Sequence, residues 1–307
     1  MRSVIQKSFG GPDVLEVTET ERPHLYAGNV LVRVHAAGVN PVDAAVRSGT
    51  LPLLGEPPYG VGWDISGVVE EAAPGARFAV GDEVFGLVSF PRAATGYAEY
   101  VAASSRELAR KPAALDHVHA AALPLSGLTA WHGLVDAADV KAGQRVLITR
   151  AAGGVGHLAV QLAKARGAHV TALASAPRHD FVRALGADEV IDYRTTDFTE
   201  MVRDADVVLD SLAQADRSAS VLRPGGVLIS ILQHYDREVA AEVAAAGRVF
   251  AGVEVRPDAA GLESLAALVA EGRLRPHVSE TFPLAEAAKA HELIESGQVQ
   301  GKIALTV

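Results

Sequence analysis

The sequence predicts an α/β fold: a doubly wound parallel sheet that shares the chain with a second, all-β domain of barrel type. Three observations predict it. The first 110 or so residues carry short β-rich runs broken by Pro/Gly clusters. From Gln144 onward strand-like and helix-like segments alternate with short connections. After about residue 260 the pattern changes again, to two helices and two strands.

In the first region Val30–His35 and Gly67–Glu70 read as strands, and Gly81–Gly86 as a turn entering one. Residues 52–62 hold three prolines and three glycines and read as a loop. Residues 116–138 are alanine-rich and helical in spacing, with a break near Pro124. Strands follow at 145–150, 168–173, 188–191, 206–210, 226–231 and 248–253. Helices fall at 155–166, 177–185, 197–203, 213–222 and 236–246. Val207–Leu209 and Val227–Ile231 are continuously apolar, as strands covered on both faces should be. This is the pattern of a Rossmann-type sheet. The last region reads as helix 261–272, strand 276–282, helix 284–296 ending at Gly297, and strand 302–307.

Composition narrows the function. Hydrophobic residues make up 49% and charged residues 21%, a globular mixture. A net charge of −9 argues against a nucleic-acid partner. With no cysteine there is no thiolate nucleophile and no Cys-ligated zinc. The N-terminus has no apolar leader and no segment is apolar enough to span a membrane, so a cytoplasmic protein without a membrane partner is expected.

The segment from Arg145 to Leu162 reads as strand, tight turn and helix, with Ala151-Ala152-Gly153-Gly154-Val155-Gly156 in the turn. Gly153 and Gly154 let backbone approach a pyrophosphate, and Gly156 lets the helix pack close to the strand. The helix N-terminus offers N–H groups to phosphate. Alanine replaces the first glycine of the dinucleotide fingerprint, a modest defect if the turn keeps φ negative there. The second strand ends at Ala174-Ser175, without the carboxylate that marks NAD, and Arg178 follows. A hydroxyl and a guanidinium suit a 2′-phosphate, so the cofactor expected is NADPH.

Spaced motifs along nearly the whole chain resemble the medium-chain dehydrogenase/reductase superfamily, in its zinc-free quinone oxidoreductase (zeta-crystallin-like) branch. They are Gly38–Asp43 with Arg47–Gly49, Gly62–Gly67, Gly81–Gly86, Gly96–Tyr100, Pro124–Ala130, the Ala151–Gly156 loop, Leu185–Asp188 and Gly301-Lys302. The resemblance implies a GroES-like substrate domain from residues 1–118 and 262–307, a Rossmann NADPH-binding domain over 119–261, and a homodimer formed through the last Rossmann strand. It places the 2′-phosphate at Ser175, Arg178 and Tyr193, and the nicotinamide at Asn40 and Thr129. Further cofactor contacts are implied at Ala152–Gly156, Ser211, Leu232, Val253 and Lys302. Asn40 and Asp43 stand as the catalytic candidates.

Zinc-dependent relatives place Cys, His and Glu where this chain has Asn40, Trp63 and Asp64. Neither asparagine nor tryptophan is a good zinc ligand, so no metal is expected. Without a Lewis acid an alcohol is a poor hydride donor, whereas a quinone or an α,β-unsaturated carbonyl accepts hydride directly. A quinone or enone reductase is therefore expected. A biosynthetic enoyl or keto reductase and a non-catalytic NADPH-binding sensor are the alternatives. The chain departs from the family at Ala45 and Leu51, where many such reductases carry a tyrosine. Tyr59, His132, His234 and Tyr235 are weak substitutes as proton donor. His117 and His119 suggest a metal pair only superficially, and a surface position is expected for both. Substrate selection is expected in the loops 52–60, 90–95, 232–236 and 253–256.

Overall fold

The computed structural model describes residues 1–307. Its first part runs β1 (Arg2–Gln6), β2 (Leu15–Glu19), β3 (Asn29–Val39), α1 (Pro41–Ser48), β4 (Tyr59–Gly60), β5 (Asp64–Ala72), β6 (Glu83–Leu87), β7 (Tyr100–Ser104) and β8 (Leu108–Arg110). Then come α2 (His117–Ala121) and α3 (Pro124–Trp131), which continues as a wider π turn over 132–137. The middle part runs β9 (Arg145–Ile148), α4 (Gly156–Ala165), β10 (His169–Leu173), α5 (His179–Ala184), β11 (Glu189–Ile191), α6 (Phe198–Met201), β12 (Ala205–Asp210), α7 (Ala215–Ser220), β13 (Leu222–Ser230), α8 (Arg237–Ala245) and β14 (Val249–Gly252). The last part is α9 (Ala259–Ala270), β15 (Val278–Pro283), α10 (Ala287–Glu295) and β16 (Lys302–Thr306). No helix is long and apolar enough to cross a membrane.

The chain forms two compact units. One comprises residues 1–128, 256–272 and 276–307; the other comprises 129–255 and 273–275. Within the first, a seven-stranded sheet has the order β15-β16-β3-β5-β6-β8, with β7 also on β3. The long β3 serves two partners along one edge: β7 along Asn29–Arg33 and β16 along Ala36–Val39. The C-terminal strand thereby returns to the N-terminal sheet. Its core is aliphatic, with Val30, Val32, Val34, Ile65, Val69 and Val84 packed around Phe78. The first unit extends past the alanine-rich boundary near 118, because α2 packs on β3 and β5.

In the second unit six parallel strands take the order β11-β10-β9-β12-β13-β14. This is the doubly wound order that reverses between its first and fourth strands. Val207, Val208 and Leu209 are all buried, as a strand with helices on both faces requires.

One helix is absent from the sequence reading, which treated the first region as all β. α1 follows from local chemistry nonetheless. Asn40 is its N-cap with extended φ and ψ, Pro41 opens it, and Asp43 at the third position accepts the Asn40 N–H at 2.7 Å. Gly49 closes it at φ = 82°, where a β-carbon would be strained.

Candidate functional site

In the second unit the dinucleotide loop joins β9 to α4. Its left-handed residue is Arg150, at φ = 49°, and Ala151 keeps φ negative, so the missing first glycine costs the turn nothing. A β-carbon on Gly156 would lie 2.3 Å from the Arg150 carbonyl oxygen and 2.7 Å from the Ala151 Cα. Glycine there sets how closely α4 meets the strand end. A β-carbon on Gly153 would stand 3.3 Å from both the Arg150 side chain and the Arg150 carbonyl oxygen. No side chain caps the N-terminus of α4, and its first N–H groups lie beside this glycine cradle. The loop therefore fits a pyrophosphate.

Ser175, Tyr193, Ser211, Leu232 and Val253 follow strands at the same, carboxyl edge of the parallel sheet. Ser175 follows β10, is buried, and opens a short turn in which the Arg178 N–H donates to its carbonyl at 2.8 Å. Arg178 is half-buried, and Tyr193, after β11, is 48% exposed. Asp180, the nearest acid, points to solvent and pairs with Arg183 at 3.2 Å. Ser211 follows β12 and its N–H donates to Thr149 Oγ1 at 2.9 Å. Leu232 follows β13 and is 61% exposed, while Val253 follows β14 and is buried. Thr129 is buried in α3.

The first unit holds a buried polar cluster. Asn40 Nδ2 donates to Asp64 Oδ2 at 3.0 Å, and Lys302 Nζ donates to Asn40 Oδ1 and lies 3.7 Å from Asp64 Oδ2. The Leu125 N–H donates to Asp64 Oδ1 at 2.8 Å. Asn40, Asp43, Asp64 and Lys302 are all at most 2% exposed. Burial pushes the Asp64 carboxyl up and the Lys302 ammonium down, and each opposes the other's shift by mutual attraction. Burial also raises Asp43, to about 7, against the hydrogen bonds from Tyr97 and Asn40 that favour its ionised form. Trp63, beside Asp64, gives its indole N–H to the Arg92 carbonyl at 2.7 Å and meets Phe90 edge-on at 5.3 Å.

Asn40, Asp43 and Lys302 thus share one cluster within their unit, and the loop with Ser175, Arg178, Tyr193, Ser211, Leu232 and Val253 shares one sheet edge within the other. Two members of the first cluster escaped the sequence reading. Tyr97 Oη donates to Asp43 Oδ2 at 2.7 Å, and His291 Nε2 stands 3.3 Å from Tyr97 Oη. Tyr97 falls within the Gly96–Tyr100 motif without a role assigned to it, and its ring lies so closely on Gly62, at φ = 92°, that a β-carbon there would come within 2.4 Å. His117 departs from its expected surface position. It is half-buried, stacks on His35 at 4.5 Å, and bonds Ser66 Oγ at 2.8 Å and Glu83 Oε1 at 3.2 Å. His119 instead pairs with Asp116 at 2.7 Å.

Two family models match this chain: an alcohol dehydrogenase GroES-like domain over residues 26–113 and a zinc-binding dehydrogenase over residues 185–305. The chain is 33% identical to the NADPH-dependent alkenal/one oxidoreductase of Arabidopsis thaliana, covering 99% of this chain and 78% of that protein. It is 33% identical to the quinone oxidoreductase of Homo sapiens, with 99% and 97% covered. The structure of the quinone oxidoreductase from Coxiella burnetii superposes with a TM-score of 0.95 at 37% identity, covering 100% of this chain and 99% of that one. With a GroES-like sheet, a Rossmann sheet and these relatives, the chain belongs to the medium-chain dehydrogenase/reductase superfamily, among its quinone oxidoreductase-like members.

Proposed function

We propose that the chain, an oxidoreductase of the nicotinamide-dependent kind, is an NADPH-dependent reductase of quinones or α,β-unsaturated carbonyl compounds that works without zinc. The observation that carries the reading is the buried Asn40–Asp64–Lys302 cluster. An amide and an ammonium stand there, with Trp63 turned to a backbone carbonyl. Asp64 is the one carboxylate among them, and its oxygens are taken up by Asn40, Lys302 and the Leu125 N–H, so hydride acceptors that need no Lewis acid are favoured.

NADPH, when bound, supplies the hydride. The chain's own residues bind and orient. Ser175 and Arg178 support a 2′-phosphate, which a carboxylate at the end of β10 would repel. Tyr193 extends that subsite, and the glycine cradle takes the pyrophosphate. Asn40 and Thr129 are each assigned to the nicotinamide, and the burial of each fixes its own side chain. Exposed Leu232 and Tyr235 offer apolar surface to a planar substrate. A homodimer through β14 belongs to the same reading, supported by the position of that strand at the open edge of its sheet.

The test is loss of reduced-nicotinamide absorbance with a panel of quinones and enones, in the presence and absence of a zinc chelator. Turnover unchanged by chelator is expected. Silence across the panel by protein that binds NADPH would overturn the reading in favour of a cofactor-binding sensor.

A further inference from the structure

Behind Asn40 lies a row of buried titratable side chains that the reduction as proposed does not use. Asp43 Oδ2 accepts from two donors, the Asn40 N–H at 2.7 Å and the Tyr97 phenol at 2.7 Å. His291 Nε2 is 3.3 Å from that phenol oxygen, with the rings edge-on at 85°. Asp43, Tyr97 and His291 are each 0% exposed.

Counting protons gives the row a direction. A phenol has one proton, and here it goes to the carboxylate. Its oxygen can then only accept from the imidazole, so His291 carries its proton on Nε2. His291 Nδ1 is left bare, and it has no partner. Burial and the nearby Arg47 keep the imidazole neutral. The row therefore runs His291 to Tyr97 to Asp43, and ends on the one carboxylate oxygen that also holds the main chain of Asn40.

We propose that Tyr97 and His291 are positioning residues for the reduction: they hold Asp43 as an ionised clamp on the Asn40 main chain, and so fix the Asn40 amide between Asp64 and Lys302. The inference rests on the role given to Asn40 in the proposed function. The charged groups facing this row are Asp64 on β5 and Lys302 on β16, which act on Asp43, and Arg47 on α1, which faces His291 and is itself paired with Glu295 on α10 at 2.6 Å.

The sign follows from the clamp. Asp43 titrates near neutrality, so the ionised clamp is present on the alkaline side and turnover falls as Asp43 protonates. Tyr97→Phe removes a donor that favours the ionised form. Its acid limb should move to higher pH by about one unit, lowering turnover at neutral pH about 5-fold while turnover recovers at alkaline pH. His291→Leu should move the limb the same way by less, and His291→Gln, which keeps a donor, should restore it.

The experiment is kcat and KM for NADPH and a benzoquinone across the neutral range, for the wild type and the three variants. A limb displaced in Y97F and H291L and restored in H291Q supports the inference. A limb common to all, with only lowered Tm or evenly scaled kcat, overturns it and leaves the reductase reading standing. Should Y97F fail to fold, the H291L and H291Q pair decides alone. A wild type that binds NADPH without turnover overturns the reductase reading itself.

Discussion

At the scale of the residue, the proposed preference for NADPH turns on Arg178. The end of β10 carries no carboxylate, and the nearest acid is turned to solvent and paired with Arg183. A charge-assisted bond to a phosphate contributes about 1.5–3 kcal/mol, so Arg178→Ala should raise KM for NADPH about 10–100-fold. KM for NADH should hardly change, because NADH lacks the 2′-phosphate. Steady-state kinetics with both cofactors decides it, and equal effects on the two would remove the 2′-phosphate role. The position of Ser175 and Arg178 after β10 was legible in the sequence because strand, turn and cation are consecutive. Tyr97 and His291 were not, because their partners lie 54 and 194 residues away and only the fold joins them.

At the scale of the element, two glycines in one loop make different demands. Gly156 faces backbone that cannot move, so Gly156→Ala must push α4 away from β9. Overpacking of this kind costs about 1–3 kcal/mol and should also weaken NADPH binding. A β-carbon on Gly153 would stay 3.3 Å from both the Arg150 side chain and its carbonyl oxygen, a far looser fit than at Gly156, and Gly153→Ala should cost less stability. Urea denaturation of both variants tests the order, and a Gly153→Ala as destabilised as Gly156→Ala would contradict it. A second prediction concerns α2. Burial lowers the pKa of His117, and the stacked His35 and nearby Lys111 add to the shift against Glu83. The folded state thus prefers the neutral ring. The stability this gives is complete above the unfolded pKa, about 6.5, and is lost as pH falls below it toward the lowered folded value. Tm should therefore drop on acidification through this range, and His117→Gln should flatten the dependence; an unaltered slope in the variant would count against it. The alternation after Gln144 was readable because each strand and helix carries its own period. α1 was hidden by its β-rich surroundings, although its Asn-Pro start, acidic third position and closing glycine are local signals.

At the scale of the whole molecule, the doubly wound sheet leaves two edges, and they are unequal. β11 is a three-residue strand, Glu189–Ile191. β14 is four residues long, pairs with β13 on one side only, and leaves Val249 50% exposed. An edge strand with free N–H and C=O groups is a template for another strand. In a twofold pair the same strand must meet its own copy, so β14 would pair antiparallel with itself and carry the sheet across two chains. A net charge of −9 on each chain opposes association, so the dimer should hold better as salt screens that repulsion. Light scattering coupled to size exclusion should give twice the chain mass for the wild type. Val249→Lys places a buried cation at the junction beside its symmetry copy and should return the chain to a monomer. That monomer should still bind NADPH, because the glycine cradle, Ser175 and Arg178 lie in loops after β9 and β10, on the far side of β12 and β13 from this edge. A wild-type monomer, or a Val249→Lys variant that stays dimeric, would show that β14 is a bare edge and not a junction.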